Sequence, residues 1–202
     1  MKGRLLLLLC MLLSLNAMRA QYLVRQDKLF SRRSYYLIDF SRMSSHQWAY
    51  PMKKGRAISP FGGRRRHKGV DIKTHARDTI YASFCGRVSH AGTASGYGRV
   101  VVLQHDMGFE TLYAHNSKHL VAAGEYVRAG QPIAIVGRTG RASTEHCHFE
   151  VHVNGRQCNP ADFFDTDHQC LRKVKVLVSQ NGKISIKGLK SSPVKKQERN
   201  GR

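Results

Sequence analysis

The sequence predicts an all-β fold, a mostly antiparallel sandwich or open barrel, between flexible basic ends. From residue 59 to residue 164, short runs of β-favouring residues alternate with glycine-containing turns, and no stretch between them has a helical period. The runs 99–104 and 110–115, joined by Asp106-Met107-Gly108, have the pattern of an antiparallel hairpin. The other predicted strands span residues 79–83, 86–90, 132–136 and 147–153.

The first twenty residues have the pattern of a cleaved signal peptide. Lys2 and Arg4 precede an apolar run at 5–15, and the small residues Ala17 and Ala20 follow it. A membrane anchor is the alternative, but this run is shorter than the roughly 20 apolar residues that cross a bilayer. The sequence therefore predicts export, to the periplasm, the cell envelope or the extracellular space.

Changes of composition divide the chain into five segments. A stretch rich in Arg, Ser and Tyr precedes the β-rich region, and alternating valines before Asn181-Gly182 predict a hairpin after it. The last residues are basic and polar, which is typical of disorder. We expect a signal peptide at 1–20, a lead segment at 21–58, the main domain at 59–165, a β-hairpin extension at 166–189 and a disordered basic tail at 190–202.

The chain is strongly basic, with 34 Lys and Arg against 13 Asp and Glu and a formal net charge of +21. Such a charge predicts attraction to polyanions, either anionic polymers of a cell envelope or nucleic acid. The export signal, and a sequence without helix-turn-helix or zinc-finger spacing, argue against a specific nucleic-acid partner. We therefore expect anionic cell-envelope polymers as partners.

Four cysteines follow the signal peptide, and an even number in an exported chain permits disulfides. We favour a Cys158–Cys170 bond, because both residues flank the end of the main domain. Cys85 and Cys147 lie in predicted strands and either pair with each other or remain buried thiols.

The segment that begins His146-Cys147-His148 carries the strongest chemical signal. Successive side chains of a strand point to opposite faces, so that the two histidines share a face with Cα atoms roughly 6.5 Å apart. Two imidazoles at that separation can bind one metal ion, or one can bind while the other acts beside it. The other face carries Cys147, Phe149 and Val151, a pattern typical of the core.

A second pair, His67 and Asp71, precedes these histidines in the chain. A catalytic zinc site usually has three protein ligands and one open position, and His67, Asp71 and His148 suit it. Residues four apart on a straight strand are about 13 Å apart, too far for one ion. We expect Gly69 to permit a turn or bulge that shortens this distance, with His67 on a loop before the strand. A surface His and a capping Asp are the alternative.

Eight sequence blocks in this region resemble the lysostaphin-type M23 metallopeptidases of bacteria. They occur in the family's order and cover about half of the chain. The blocks are Ser59-Pro60-Phe61-Gly62, His67-Lys68-Gly69-Val70-Asp71-Ile72, Gly96-Tyr97-Gly98, Leu112-Tyr113-Ala114-His115, Gly124-Glu125-Tyr126-Val127-Arg128-Ala129-Gly130-Gln131, Gly137-Arg138-Thr139-Gly140, His146-Cys147-His148-Phe149-Glu150 and Asn159-Pro160-Ala161.

The resemblance implies a cleft that carries one Zn²⁺, held by His67, Asp71 and His148. It also implies that His115 and His146 are the catalytic pair, and that the substrates are the peptide cross-links of bacterial peptidoglycan. We assign His115 as the general base, and His146 to stabilising the oxyanion and protonating the leaving amine. The sequence leaves these two roles interchangeable.

Three further positions carry expectations. Cys147 stands where the family commonly has an aliphatic residue. Its sulfur is a possible zinc ligand, but strand alternation points it to the core face, where a buried Cys acts as a small hydrophobe. Glu150 shares the face of His148 and either orients that imidazole or pairs with a surface Arg. Tyr113 shares the face of His115 and is expected to line the cleft.

The function expected from these residues is that of a secreted zinc metalloendopeptidase that hydrolyses peptidoglycan cross-links with metal-activated water. The first alternative is a catalytically weak or inactive cell-wall-binding module, or an activator of a wall amidase, against which the five filled positions argue. The second is a secreted signalling protein on the same fold, against which the absence of a disulfide-rich pattern argues. The third is the nucleic-acid binding discussed above.

Overall fold

The computed structural model describes residues 34–64 and 66–188. Within these ranges the chain forms fifteen β-strands and three short 3₁₀ helices, at Phe40–Arg42, Asp106–Gly108 and Pro160–Asp162. The strand pairs are antiparallel and the main sheet stays open, which confirms the predicted fold class. The predicted signal peptide, the first part of the lead segment and the predicted basic tail lie outside the described residues. No helix in the described ranges is long and apolar enough to span a membrane.

Ten strands form the main sheet. Seven follow the order β2-β3-β10-β7-β6-β5-β8, β11 pairs with β10, and β9 joins β7 to β4. The strands are β2 (Arg56–Ser59), β3 (Val70–Lys73), β4 (Thr79–Tyr81), β5 (Gly86–Ala94), β6 (Gly98–Gln104), β7 (Phe109–His119), β8 (Tyr126–Val127), β9 (Pro132–Val136), β10 (His146–Val153) and β11 (Arg156–Cys158).

The predicted hairpin forms between β6 and β7. The two strands pair antiparallel from Gln104 with Glu110 to Arg99 with Asn116, and the 3₁₀ helix Asp106–Gly108 connects them. Gly108 has a φ of 73°, a left-handed conformation that favours glycine at this turn.

Strand β10 lies in the interior of the main sheet, between β3 and β7. The face opposite the core carries His146, His148 and Glu150, so that the predicted alternation of this strand is confirmed. The core-facing side chains are at most 1% exposed, and they are Cys147, Phe149, Val151 and Val153.

A smaller sheet joins the lead segment to the C-terminal extension. Strand β1 (Tyr35–Asp39) pairs with β14 (Lys175–Ser179), and β14 pairs with β15 (Ile184–Lys187) around the predicted Asn181-Gly182 turn. A two-stranded sheet of β12 (Phe164–Asp165) and β13 (Cys170–Leu171) precedes this hairpin.

The small sheet shares its hydrophobic core with the main sheet. Phe40 follows β1, and its ring lies 5.6 Å from that of Phe84, 5.4 Å from that of Phe109 and 5.4 Å from that of Phe163. Aromatic rings at these separations and inclinations add to the stabilisation by buried apolar area. The core therefore supports β10 from the side opposite its histidines.

Candidate metal centre and active site

The register of β3 against β10 makes Asp71 and His148 cross-strand neighbours. Directly paired residues of an antiparallel ladder point to the same face. Asp71 Oδ1 accordingly lies 2.8 Å from His148 Nδ1. Strand pairing thus brings together two of the three predicted metal ligands, which are 77 residues apart in the chain.

His67 reaches this pair from a tight loop that precedes β3. Its backbone exchanges two hydrogen bonds with Gly62, of 2.7 and 2.9 Å, and Gly62 and Gly63 have positive φ values. The loop places His67 Nε2 3.1 Å from Asp71 Oδ1 and 3.1 Å from His148 Nδ1. This loop, together with the bend at Gly69, brings His67 next to Asp71.

The predicted bend at Gly69 is present, and this glycine has a second role. It is not among the residues with positive φ, but a Cβ atom at this position would lie 2.3 Å from the carbonyl oxygen of Phe149. Only glycine permits so close an approach of this segment to the backbone of β10.

Three acceptor atoms of His67, Asp71 and His148 converge on one point. His67 Nδ1 lies 2.9 Å from the carbonyl oxygen of Pro60, and His148 Nε2 lies 2.8 Å from Glu150 Oε1. Because carbonyl and carboxylate oxygens only accept hydrogen bonds, these ring nitrogens donate. The other nitrogen of each neutral ring then presents a lone pair to Asp71 Oδ1. A cation between these three atoms would accept their lone pairs. Among the described residues, this trio is the one group of His, Cys, Asp or Glu side chains that could hold a metal ion.

A bulge in β7 turns His115 toward the ligand trio. Tyr113 pairs with Val101 of β6 and Asn116 pairs with Arg99, so that two steps on β6 match three on β7. His115 lies inside this irregularity with a φ of 66°, a value uncommon for residues other than glycine. The alternation of side chains along β7 is therefore broken at His115.

The prediction that Tyr113 lines the cleft is wrong, because the bulge places Tyr113 and His115 on different faces. The ring of Tyr113 is 0% exposed and lies 5.4 Å from that of Phe149 in the core. Its hydroxyl oxygen accepts a 2.8 Å hydrogen bond from the backbone N–H of Ser83. Tyr113 is thus a core residue that ties β7 to the segment before β5.

His115 and His146 each direct one nitrogen toward a backbone carbonyl. Nδ1 of His115 donates to Thr139 and Nδ1 of His146 donates to Thr144, both at 2.8 Å. Their rings are 4.8 Å apart. The Nε2 atom of each neutral ring therefore remains an acceptor, and that of His146 lies 3.6 Å from Asp71 Oδ1.

Glu150 is a buried carboxylate with three hydrogen-bond partners. Oε1 accepts hydrogen bonds of 2.8 Å from His148 Nε2 and from the hydroxyl of Tyr97, and Oε2 bonds to His152 Nε2. Two roles were predicted for Glu150, orienting His148 or pairing with a surface Arg. The geometry agrees with the first, because the partners of the carboxylate are these three groups. No role was predicted for Tyr97 or His152. The period-2 spacing of His148, Glu150 and His152 is the signal that points to His152.

Burial and hydrogen bonding set the protonation of the site. Burial raises the pKa of Asp71, but the hydrogen bond to His148 and the neighbouring histidines outweigh it, and the pKa lies below its usual value. Burial lowers the pKa of His148, but its bonds to Asp71 and Glu150 raise it to about 9. Burial, with repulsion from neighbouring histidines, lowers the pKa of His115. A metal ion therefore has to displace a proton from His148.

The cysteines lie apart from the trio. Cys147 is 0% exposed on the core face, where burial raises the pKa of its thiol. The favoured Cys158–Cys170 disulfide is not formed, and all four cysteines of the described residues are free. Cys158 ends β11 and pairs with Val151 of the main sheet, whereas Cys170 begins β13 and pairs with Asp165 of the two-stranded sheet. The two cysteines are therefore held by different sheets.

Comparison with known proteins places this site in a family. Residues 65–160 match the family described as Peptidase family M23, and the match includes the trio, His115 and His146. The chain thus contains a segment, just under half of its 202 residues, that matches peptidase family M23. The predicted resemblance to this family is thereby confirmed.

Relatives of the M23 domain include enzymes and an activator by name. The chain is 40% identical over 122 residues to an uncharacterized metalloprotease of Haemophilus influenzae, covering 55% of this chain and 26% of the relative. It is 39% identical over 118 residues to the DD-carboxypeptidase/endopeptidase Mpg of Neisseria meningitidis, covering 54% and 27%. It is 39% identical over 115 residues to the murein hydrolase activator NlpD of Escherichia coli, covering 56% and 30%. The chain thus spans less than a third of the length of these relatives.

Solved structures share the fold of the M23 domain. A zinc-containing peptidase from Vibrio cholerae is 30% identical with a TM-score of 0.52, over 56% of this chain and 39% of that protein. Lysostaphin from Staphylococcus simulans, an antimicrobial peptidase, is 29% identical with a TM-score of 0.50, over 59% and 53%. Both support the antiparallel M23 architecture.

Proposed function

We propose that this chain is a secreted zinc metalloendopeptidase that hydrolyses peptide cross-links of bacterial peptidoglycan. The observation that carries the proposal is the presence of His115 and His146 beside a complete ligand trio. Metal binding needs only the trio, whereas hydrolysis also needs groups that move protons. The substrate class is supported by the relatives, one of which bears the name DD-carboxypeptidase/endopeptidase.

The donor set of the trio suits zinc. Two imidazole nitrogens and one carboxylate oxygen are common ligands of catalytic zinc, which keeps a fourth position open. Ligand atoms of a tetrahedral ion with bonds of about 2.0–2.1 Å are about 3.3 Å apart. The three atoms of the trio are 2.8 to 3.1 Å apart. Small side-chain movements therefore admit the ion.

The histidines outside the trio supply the proton transfers. A bound zinc ion lowers the pKa of its water toward about 7 and polarises the scissile carbonyl. His115 Nε2 accepts a proton from the attacking water, while the bond from Nδ1 to Thr139 keeps the ring in place. His146 Nε2, when it carries a proton taken from solvent, stabilises the oxyanion and donates that proton to the leaving amine, and His115 returns its own proton to solvent. The lowered pKa of His115 favours the neutral ring that a general base requires.

Activation of another wall enzyme is the competing function. It is favoured by the similarity to a protein named murein hydrolase activator. Such a role needs neither metal nor proton transfer. The grouping of His115 and His146 with the trio argues for the peptidase, because burying these polar side chains costs free energy that an activator has no use for.

The proposed location is the cell envelope or the medium outside it. Export is supported by the pattern of residues 1–20, and the net charge of +21 suits anionic envelope polymers as partners. Specific nucleic-acid binding is not part of the proposal.

Metal analysis together with muropeptide digestion tests the function. We expect close to one zinc per chain, cleavage of a cross-linked muropeptide, and loss of both on chelation. His148→Ala should lose zinc after dialysis, whereas the exposed His168→Ala, as the matched control, should keep it. His115→Ala should keep zinc and lose about 10²- to 10⁴-fold in kcat. Zinc retention by His148→Ala would refute the ligand assignment, and zinc-loaded protein without cleavage would favour the activator.

A further inference from the structure

Two loops at the candidate metal centre carry exposed basic side chains. Loops 62–68 and 138–145 contain one acidic residue, Glu145, in the part that the structure describes. Among residues 34–64 and 66–188, no acidic partner forms an ion pair with the basic side chains of these two loops. Loop 62–68 carries Arg64, Arg66 and Lys68, and loop 138–145 carries Arg138 and Arg141.

Both loops are attached to the catalytic groups. Loop 62–68 contains His67, whose backbone is bonded to Gly62 in both directions. Loop 138–145 holds His115 through the Thr139 carbonyl and leads directly into His146. The basic residues therefore belong to the two loops that carry His67 and hold His115 and His146.

Tyr97 connects the two basic loops to the ligand trio. The ammonium of Lys68 lies 5.9 Å from the centre of the Tyr97 ring, and this ring lies 5.7 Å from that of His148. At the preceding residue, the backbone N–H of Arg141 donates a 3.0 Å bond to the carbonyl of Gly96. The guanidinium carbon of Arg141 would be 4.0 Å from a Cβ at Gly96. Lys68 and Arg141 thus flank the Gly96-Tyr97 segment.

Unpaired cations at this place attract an anion that the substrate itself carries. The guanidinium group matches a carboxylate in two parallel hydrogen bonds, and an ammonium adds a point charge. The two separations from Lys68 to His148 correspond to roughly three residues of an extended peptide. We infer that the site selects peptides with a free carboxylate within about three residues of the scissile bond, recognised by Lys68 and Arg141. This inference rests on the proposed peptidase function and adds the charge of the substrate.

A pair of peptides tests the inference on the zinc-loaded protein. The two cross-linked peptides are identical except that the carboxylate beside the cross-link is free in one and a carboxamide in the other. We expect kcat/KM to be about fivefold higher for the free acid, the scale of one exposed ion pair, mainly through a lower KM. The preference should shrink as salt concentration rises.

Charge-reversal variants test whether Lys68 and Arg141 produce the preference for the free carboxylate. Lys68→Glu and Arg141→Glu should abolish or invert it. Lys183→Glu changes the net charge equally on the exposed turn of the C-terminal hairpin and should leave it unchanged. Equal kcat/KM for the two peptides would overturn the inference, as would an equal loss of preference in Lys183→Glu, which would indicate general attraction by net charge.

Binding separates this inference from the proposed hydrolysis. The dissociation constants of both peptides are measured on zinc-loaded His115→Ala, which should bind without turnover. Tighter binding of the free acid supports the inference even if the wild-type protein cleaves neither peptide, a result that would refute only the peptidase. Equal binding with efficient cleavage would refute only the inference.

Discussion

His115 Nδ1 lies 2.8 Å from the carbonyl oxygen of Thr139, and the side chain of Thr139 holds that carbonyl in place. Thr139 Oγ1 accepts a 2.9 Å bond from the backbone N–H of Arg99 and donates a 2.9 Å bond to the carbonyl of Asn116. The orientation of His115 thus depends on a loop that is fastened to β6 and to β7 by one hydroxyl group.

Thr139→Val should reduce turnover without releasing metal. The substitution keeps the shape but removes both hydrogen bonds of the hydroxyl, which at about 0.5–1.5 kcal/mol each lowers the free energy of unfolding. The loosened loop should lower kcat by about tenfold to a hundredfold, because small displacements of catalytic groups are costly. Thr139→Ser, the matched control, keeps the hydroxyl and should restore most of kcat. Similar loss in both variants, measured by muropeptide cleavage, would argue against this role.

The pH dependence of cleavage should show an acid limb below pH 6.5, the ordinary pKa of a histidine. Burial and neighbouring histidines lower the pKa of His115, and a nearby cation shifts it in the same direction. A general base acts when it is neutral, so kcat should fall only as the pH drops through this lowered pKa. A profile of kcat from pH 4 to pH 8 checks this. An acid limb above pH 6.5, or the same limb in the residual activity of His115→Ala, would assign the base elsewhere.

Glu150→Gln should weaken zinc binding by about tenfold to a hundredfold, the usual effect of changing a group that orients a ligating histidine. The amide keeps the volume of the side chain but removes the negative charge that makes His148 a stronger ligand. Competition with a chromogenic chelator measures the affinity. Tyr97→Phe removes a donor to Glu150 Oε1 but keeps the carboxylate, and should have a smaller effect. An unchanged zinc affinity in Glu150→Gln would contradict the role of the charge.

Cys147→Leu should keep zinc and near-normal kcat. The sulfur lies on the core face, away from the ligand atoms, so that it has no part in the site. Leucine adds volume to a packed core and should lower the free energy of unfolding by about 1–3 kcal/mol. Cys147→Ala separates the loss of sulfur from the added volume. Loss of zinc from both variants would make the sulfur a ligand or a support of one.

The strands and the two faces of β10 were predictable because alternation is a local property. A strand has a period of two wherever it lies in the fold, so the spacing of His146, Cys147 and His148 already separates site from core. Glycine-containing turns similarly mark strand ends. The trio was predictable from residue types and from the resemblance to M23 peptidases.

Contacts between distant segments decided the rest. The bulge at His115 arises from the register of β7 against β6, and no run of residues within β7 announces it. Because of the bulge, Tyr113 lies in the core, whereas regular alternation along residues 110–115 predicted that it would share the face of His115. Gly69 owes its place to the carbonyl of Phe149, which is 80 residues away in the chain. The sequence by itself determined which side chains can do chemistry and which strand carries them, because these depend on residue type and local period. The tertiary structure decided which of them meet, because strand register and loop attachment depend on the packing of the whole sheet.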